Sequence, residues 1–201
     1  MRRIAAITLL AFAAAAHAQI AKTQRAKTLP WAKEPELVFG LRLGERFDHD
    51  ALKPCGGVTA DGPPPKYSFC HLFGRSTPEA VQLLLSGFPV SAFKGGSLSL
   101  EGGVASTLML EGSHNDHSDI RAVLIERYGP PTVSMPGTVS NRMGASFSNE
   151  TLIWTGKNVM LTLRERSGKV DETGVFFQHI PSASKSIERD TQRRKGEASK
   201  M

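Results

Sequence analysis

The densest run of chemically capable side chains is Ser113-His114-Asn115-Asp116-His117-Ser118-Asp119. Two histidines three residues apart at a helix start present their imidazoles on one side. Asp116 or Asp119 supplies a third donor, and zinc or copper accepts such a set. The same residues also serve a plainer purpose. Ser, Asn and Asp ahead of an apolar stripe are helix N-cap chemistry, and acidic groups there complement the helix dipole. Composition favours capping, with His114, His117 and Asp116 as candidate metal ligands beside it. Protonated imidazoles are disfavoured at that helix end, so a modest pH response is expected without a metal.

Cys55 and Cys70 are the only cysteines. In an oxidising compartment, two cysteines in one small domain pair. They bracket a loop rich in glycine and proline, and closing it is worth roughly 3 kcal/mol on chain-entropy grounds. The spacing is far from C-x-x-C, which argues against a redox pair. Ligation by Cys55, Cys70 and His71 lacks a fourth donor. Pairing also removes Cys55 as a nucleophile for Asp48-His49-Asp50. Ser146 stands between Ala145 and Phe147, outside G-x-S-x-G. His179 falls near a strand end, and Asp171-Glu172 beside a turn. There is no Walker loop or dinucleotide fingerprint. Asn149-Glu150-Thr151 fits a glycosylation sequon. No catalytic residue emerges and no cofactor is expected, zinc or copper being the alternative.

The oxidising compartment is itself inferred from residues 1–18. Arg2-Arg3, an apolar run over 4–16 and Ala16-His17-Ala18 form a secretory signal with cleavage expected after Ala18. The apolar run is shorter than the roughly 20 residues of a membrane-spanning helix, and no later run is long enough. The expected location is periplasmic or secreted. The net charge of +6 is a poor guide to partners, because the basic residues concentrate at the two ends. The body is nearly neutral, and a nucleic-acid domain needs a basic face with motif support. Weak contact with anionic surfaces through the ends is the sharper use of that charge.

The elements that position these residues follow from periodicity. Residues 19–35 read as a flexible basic arm, 36–180 as a single α+β domain and 181–201 as a disordered basic tail. Alternating Phe39, Leu41 and Leu43 predict an extended piece over 37–44, followed by a short helical turn at 48–52. Residues 67–73 read as a strand through Cys70; at 79–86 Thr77-Pro78-Glu79 resembles a helix start, but the alternation of Val81, Leu83 and Leu85 and the stop at Gly87-Phe88-Pro89 favour a strand. Residues 97–100 and 104–110 flank Glu101-Gly102-Gly103, a hairpin signal. Residues 116–128 form the main helix, with Ile120, Val123, Leu124 and Tyr128 on one stripe and Gly129-Pro130-Pro131 ending it. Strands over 151–155, 159–165 and 174–180 complete an antiparallel sheet covered by that helix. Trp154, Phe176 and Phe177 are the candidate interaction patch, although sheet core is their plainer reading. Phe176 and Phe177 point to opposite faces, so one of them needs cover.

The segments Phe39-Gly40-Leu41-Arg42-Leu43-Gly44, Leu124-Ile125-Glu126-Arg127-Tyr128-Gly129-Pro130-Pro131-Thr132 and Thr151-Leu152-Ile153-Trp154-Thr155-Gly156 resemble a loose group of exported proteobacterial proteins. The helix ending in Tyr-Gly-Pro ahead of strands is also similar to BamE/SmpA-like and β-lactamase-inhibitor-like envelope modules. The lipid-anchoring cysteine of the BamE-like lipoproteins is missing here, as is a clear helix pair. The resemblance implies binding or envelope assembly rather than catalysis, and it transfers no functional residue. The expected function is therefore a soluble, exported, non-catalytic module that binds another protein or an envelope component. The alternatives are metal binding through His114 and His117, and a hydrolase with a dispersed site.

Overall fold

The computed structural model describes residues 31–56, 64–74, 76–78 and 81–200. The signal segment 1–18 and most of the arm lie outside the described residues. Among the described residues, ten strands and two helices follow in order: β1 (Cys70–His71), β2 (Gln82–Ser86), β3 (Phe93–Glu101), β4 (Val104–Ser113), α1 (His117–Tyr128), β5 (Val133–Met135), β6 (Thr138–Ser140), β7 (Ser146–Ser148), β8 (Thr151–Thr155), β9 (Val159–Arg164), β10 (Glu172–His179) and α2 (Ile180–Ala198). Eight strands form one antiparallel sheet in the order β1-β2-β3-β4-β10-β9-β8-β5, and β6-β7 is a separate hairpin. The fold is α+β, and Cys55–Cys70 is a disulfide.

Period-two alternation builds the sheet core. Leu83, Leu98, Leu108, Phe177, Leu161 and Trp154 stand side by side on six consecutive strands. All six are buried. A neighbouring row holds Leu85, Leu110, Val175, Leu163 and Leu152, also buried. β3 and β4 are joined through Gly102 and Gly103, both at positive φ (58° and 79°). Two left-handed residues make the tight turn whose twist matches the strands it joins.

Helix α1 covers this face through Ile120, Leu124 and Tyr128, spaced four apart and buried. Burying each is worth about 1.5–3 kcal/mol. The approach is close: a Cβ on Gly112 of β4 would lie 2.7 Å from Ile120 Cδ1 and 2.8 Å from the Ala92 carbonyl. Gly129, at φ 80°, ends the helix and donates its N–H to the Ile125 carbonyl. The opposite sheet face is mixed, with half-buried Met109, Ile153, Met160 and Phe176 among serines and threonines.

Several expectations are corrected. Residues 37–44 are not extended. Val38 and Leu41 exchange two backbone hydrogen bonds of 2.9 Å around Phe39 and Gly40. Both turn residues have positive φ, 53° and 83°, and a Cβ on Gly40 would lie 2.1 Å from the Lys66 carbonyl oxygen. Residues 48–52 form a turn rather than a helical turn, with the Asp48 carboxylate accepting the Ala51 N–H at 3.2 Å. The strand through Cys70 shrinks to two residues. The end of the arm is docked: Trp31 is buried, donates its indole N–H to the Tyr128 carbonyl at 2.8 Å and meets the Tyr128 ring edge-on at 5.6 Å. The Glu34 carboxylate accepts three backbone N–H groups, from Lys157, Asn158 and Val159, at 2.6–2.7 Å. The basic tail, expected to be disordered, is α2. Pro181 lies in its first turn, Lys, Arg and Glu are good helix formers, and Arg189 pairs with Glu101 at 3.0 Å.

Trp31 ties arm, helix and sheet together. Trp31→Ala is expected to lower the unfolding free energy by about 3–5 kcal/mol in a denaturant titration. A loss under about 1 kcal/mol, within the range of surface substitutions, would show that the arm is not docked.

Candidate functional site

The histidine run is placed by a 3-10 turn, His114–Asp116, that leads into α1. Ser113 Oγ accepts the Asn115 N–H at 3.3 Å, so the capping chemistry is present and is carried by Ser113. Asp116 occupies the N-cap position of α1 without a side-chain capping bond. The His114 and His117 rings lie nearly parallel, 6.2 Å apart. Arg166 Nη2 is 2.9 Å from His114 Nε2. A guanidinium is only a donor, so His114 Nε2 accepts and the ring proton sits on Nδ1. The Nδ1 atoms of His114 and His117 are buried without a hydrogen-bond partner among the described residues. Among those residues, no group of three or more His, Cys, Asp or Glu is arranged to hold a metal ion. Arg166 also donates from Nε to the Ser148 carbonyl at 2.9 Å and from Nη1 to the Val170 carbonyl, and it lies over the Phe147 ring. One cation thereby joins the β6–β7 hairpin to the start of α1.

Burial lowers the pKa of His117, reinforced by His114 and opposed by Glu165. Burial and Lys185 lower that of His179, whose Nδ1 lies 2.8 Å from Ser182 Oγ. A lowered folded-state pKa makes the unfolded chain the better proton acceptor. The stability this contributes is present above the ordinary histidine value and is lost as pH falls below it. Among the acids, the Lys66 ammonium lowers the pKa of Asp48. For Glu165, burial acts upward but is outweighed by the hydrogen bonds from Glu150 and Ser148. These carboxylates act in a separate window below about pH 4.5. The thermal midpoint should therefore fall between about pH 6.5 and 5, and His117→Phe should shallow that slope. A profile flat there, falling only in the carboxylate range, would contradict the assignment.

The aromatic patch does not form a surface. Trp154 is fully buried and donates its indole N–H to the Gly129 carbonyl at 2.8 Å. Phe177 is buried against Tyr128, with ring centroids 5.8 Å apart. Phe176 lies half-buried on the opposite face beneath Arg164, 5.3 Å from its ring centroid. Sheet register separates the three: Trp154 and Phe177 share the helix-covered rung, and Phe176, one residue out of phase, cannot join them. Ser146 is an exposed residue of β7, and Glu172 pairs with Lys169 at 2.6 Å.

An aromatic crevice does lie beside the helix, and of the three patch residues only Phe177 lines it. It is an apolar cavity of about 390 Å³ between α1 and the turn at Phe39; a separate polar cleft of about 470 Å³ lies at His114, Lys94 and Arg166. The crevice is lined mainly by apolar side chains. Leu110 and Phe177 make its floor, Phe39 and Phe93 one wall, Leu124 and Tyr128 the other. Leu37 and Val123 line it and are 46% and 41% exposed, so apolar side chains are left accessible at its mouth. Arg127 is among its lining residues, with its guanidinium over the Tyr128 ring at 5.6 Å. Burial raises the pKa of the Tyr128 phenol, which stays neutral. Phe39 is the one non-glycine residue with positive φ among those described. Such a conformation costs of order 1–3 kcal/mol and clusters at ligand sites. Sequence reasoning missed Leu37, Phe39, Phe93 and Arg127 as site residues. It placed Val123 on the helix stripe, and the signal available was that Val123 lies at the edge of that stripe.

No family model, curated protein or solved structure matches the chain.

Proposed function

We propose that this chain is a non-catalytic binding module that takes an apolar segment of another exported protein or envelope component into the crevice beside α1. The observation that carries this reading is the crevice itself: a concave apolar site with accessible aliphatic groups and one cation among its lining residues. Its volume lies within the range of ligand pockets, which are apolar with a few polar groups that fix orientation. Each leucine-sized side chain inserted there gains about 1.5–3 kcal/mol from burial. Arg127 favours a segment that carries a carboxylate, through a charge-assisted hydrogen bond. The resemblance to envelope modules, drawn from turn and packing motifs, points the same way. Exposed Lys185, Arg189, Arg193 and Arg194 on α2 suit weak attachment to an anionic surface. Metal binding at His114 and His117 is not adopted, because Arg166 already engages His114 Nε2.

The test uses an anionic naphthalene fluorophore as probe. The protein should bind one probe per chain. Val123→Trp, which fills the mouth, should weaken binding at least tenfold, about 1.4 kcal/mol, with an unchanged thermal midpoint. Arg127→Gln should weaken it less and abolish its salt dependence. Unchanged affinity in Val123→Trp would overturn the crevice as the site. Sustained turnover of peptide, peptidoglycan or phosphate-ester substrates by the purified protein would overturn the non-catalytic reading.

A further inference from the structure

The sheet has a second face, turned away from α1 and the crevice. Leu84, Met109, Phe176, Ile153 and Val133 stand in one register row across it, on β2, β4, β10, β8 and β5. Small hydroxyl side chains on β3 and β9 fill the row between them. Leu84 and Val133 are 51% and 37% exposed, and Met109, Phe176 and Ile153 are half-buried. The next row, Ser99-Thr107-Gln178-Met160-Thr155, is uncharged as well. A sheet face turned to water is ordinarily polar, whereas depletion of charge marks the centre of a protein contact. Among these rows, charge enters only in the third, where Glu111 on β4 and Arg164 on β9 are exposed and flank Gly174 of β10.

We propose that this face is an interface between two copies of the chain, packed sheet on sheet about a two-fold axis that runs parallel to β10. Strand register points to a second copy as the occupant. Such an axis exchanges the strands on the two sides of β10 and keeps each row opposite itself. Glu111 and Arg164 stand one strand to either side of β10, so each faces the other on the second copy and two symmetric ion pairs form. Leu84 and Val133 stand three strands to either side and face each other in the same way. Phe176, on the axis, faces its own mate. A two-fold contact needs this self-complementarity, because one patch serves both sides. Sheets packed face to face lie about 10 Å apart, with strands within about 30° of alignment. Ser167 fills the space above Gly174, so the charged row forms the rim of the contact and the two uncharged rows its body. Seven strands and three rows outline a patch of roughly 29 by 14 Å. Before side chains widen it, that is of order 400 Å² per copy, which suits a reversible dimer rather than an obligate one. The crevice lies on the other face and stays accessible.

The test measures self-association of the full, disulfide-intact chain by sedimentation velocity over a concentration series. The chain should dimerise reversibly, and more weakly at high salt. Glu111→Arg and Arg164→Glu each set like charges opposite one another, and each should weaken the dimer at least tenfold, about 1.4 kcal/mol. Mixed in equal amounts, the two variants should associate with each other, because both pairs across that heterodimer are complementary. An ion pair within one chain cannot produce this rescue. Val123→Trp, in the crevice, should leave the dimer unchanged. Should either reversal unfold the chain, Met109→Lys, which sets a charge in the uncharged body, takes its place and should weaken the dimer at least as much. The proposal is overturned if the native chain stays monomeric at millimolar concentration, the face then belonging to a different partner. It is equally overturned if the folded variants dimerise as the native protein does, or if the mixture of the two reversals fails to associate.

Discussion

The structure depends on one continuous hydrophobic rung, Leu83-Leu98-Leu108-Phe177-Leu161-Trp154, that runs across six strands without interruption. A one-residue slip in any strand would turn its whole apolar set to the other face, so the rung fixes register throughout the sheet. It also demands a cover. Six strands spaced at about 4.8 Å span roughly 24 Å, while the twelve residues of α1 make a rod only about 18 Å long. The helix alone does not conceal the face.

The remainder is covered by a second body. Phe47, Tyr67, Phe69 and Phe88 form a chain of rings with successive centroids 5.1–5.5 Å apart, and Phe39 joins it at Phe88, 5.4 Å away. These rings come from loops on both sides of the disulfide, so the clamp at Cys55–Cys70 positions the aromatic cover. The crevice is the seam between the two covers, floored by the sheet at Leu110 and Phe177. Site and fold thus share one origin: the apolar face is wider than either element that shields it. Trp31 and Glu34 fasten the C-terminal end of the helix and the β8–β9 turn.

Much of the frame was legible in the sequence because it rests on local patterns. The Gly102-Gly103 hairpin, the α1 stripe and the alternating strands β8 to β10 each carry their own period or turn residues. The failures share a different cause. Phe39, Leu41 and Leu43 alternate as an extended strand does, and only the close approach of Lys66 to Gly40 reveals a turn. Trp154 and Phe177 could be assigned parity, but which parity is covered depends on where a helix 26 residues or more away packs. α2 was hidden because its charges, without an apolar stripe, read as a solvated tail. The Arg166–His114 contact joins residues 52 apart, and no local signal announces it. The crevice was invisible for the same reason, since its walls come from the turn at Phe39, the start of β3 and the helix.

A methyl-resolved NMR titration of the full chain with a short alkyl carboxylate tests the seam as a binding site. Binding in the seam gives saturable shifts confined to Leu37, Val90, Leu110, Val123 and Leu124, the aliphatic residues that line it. Shifts centred instead on Val133 and Met135 at the far sheet edge, or no saturable shift at all, would contradict it.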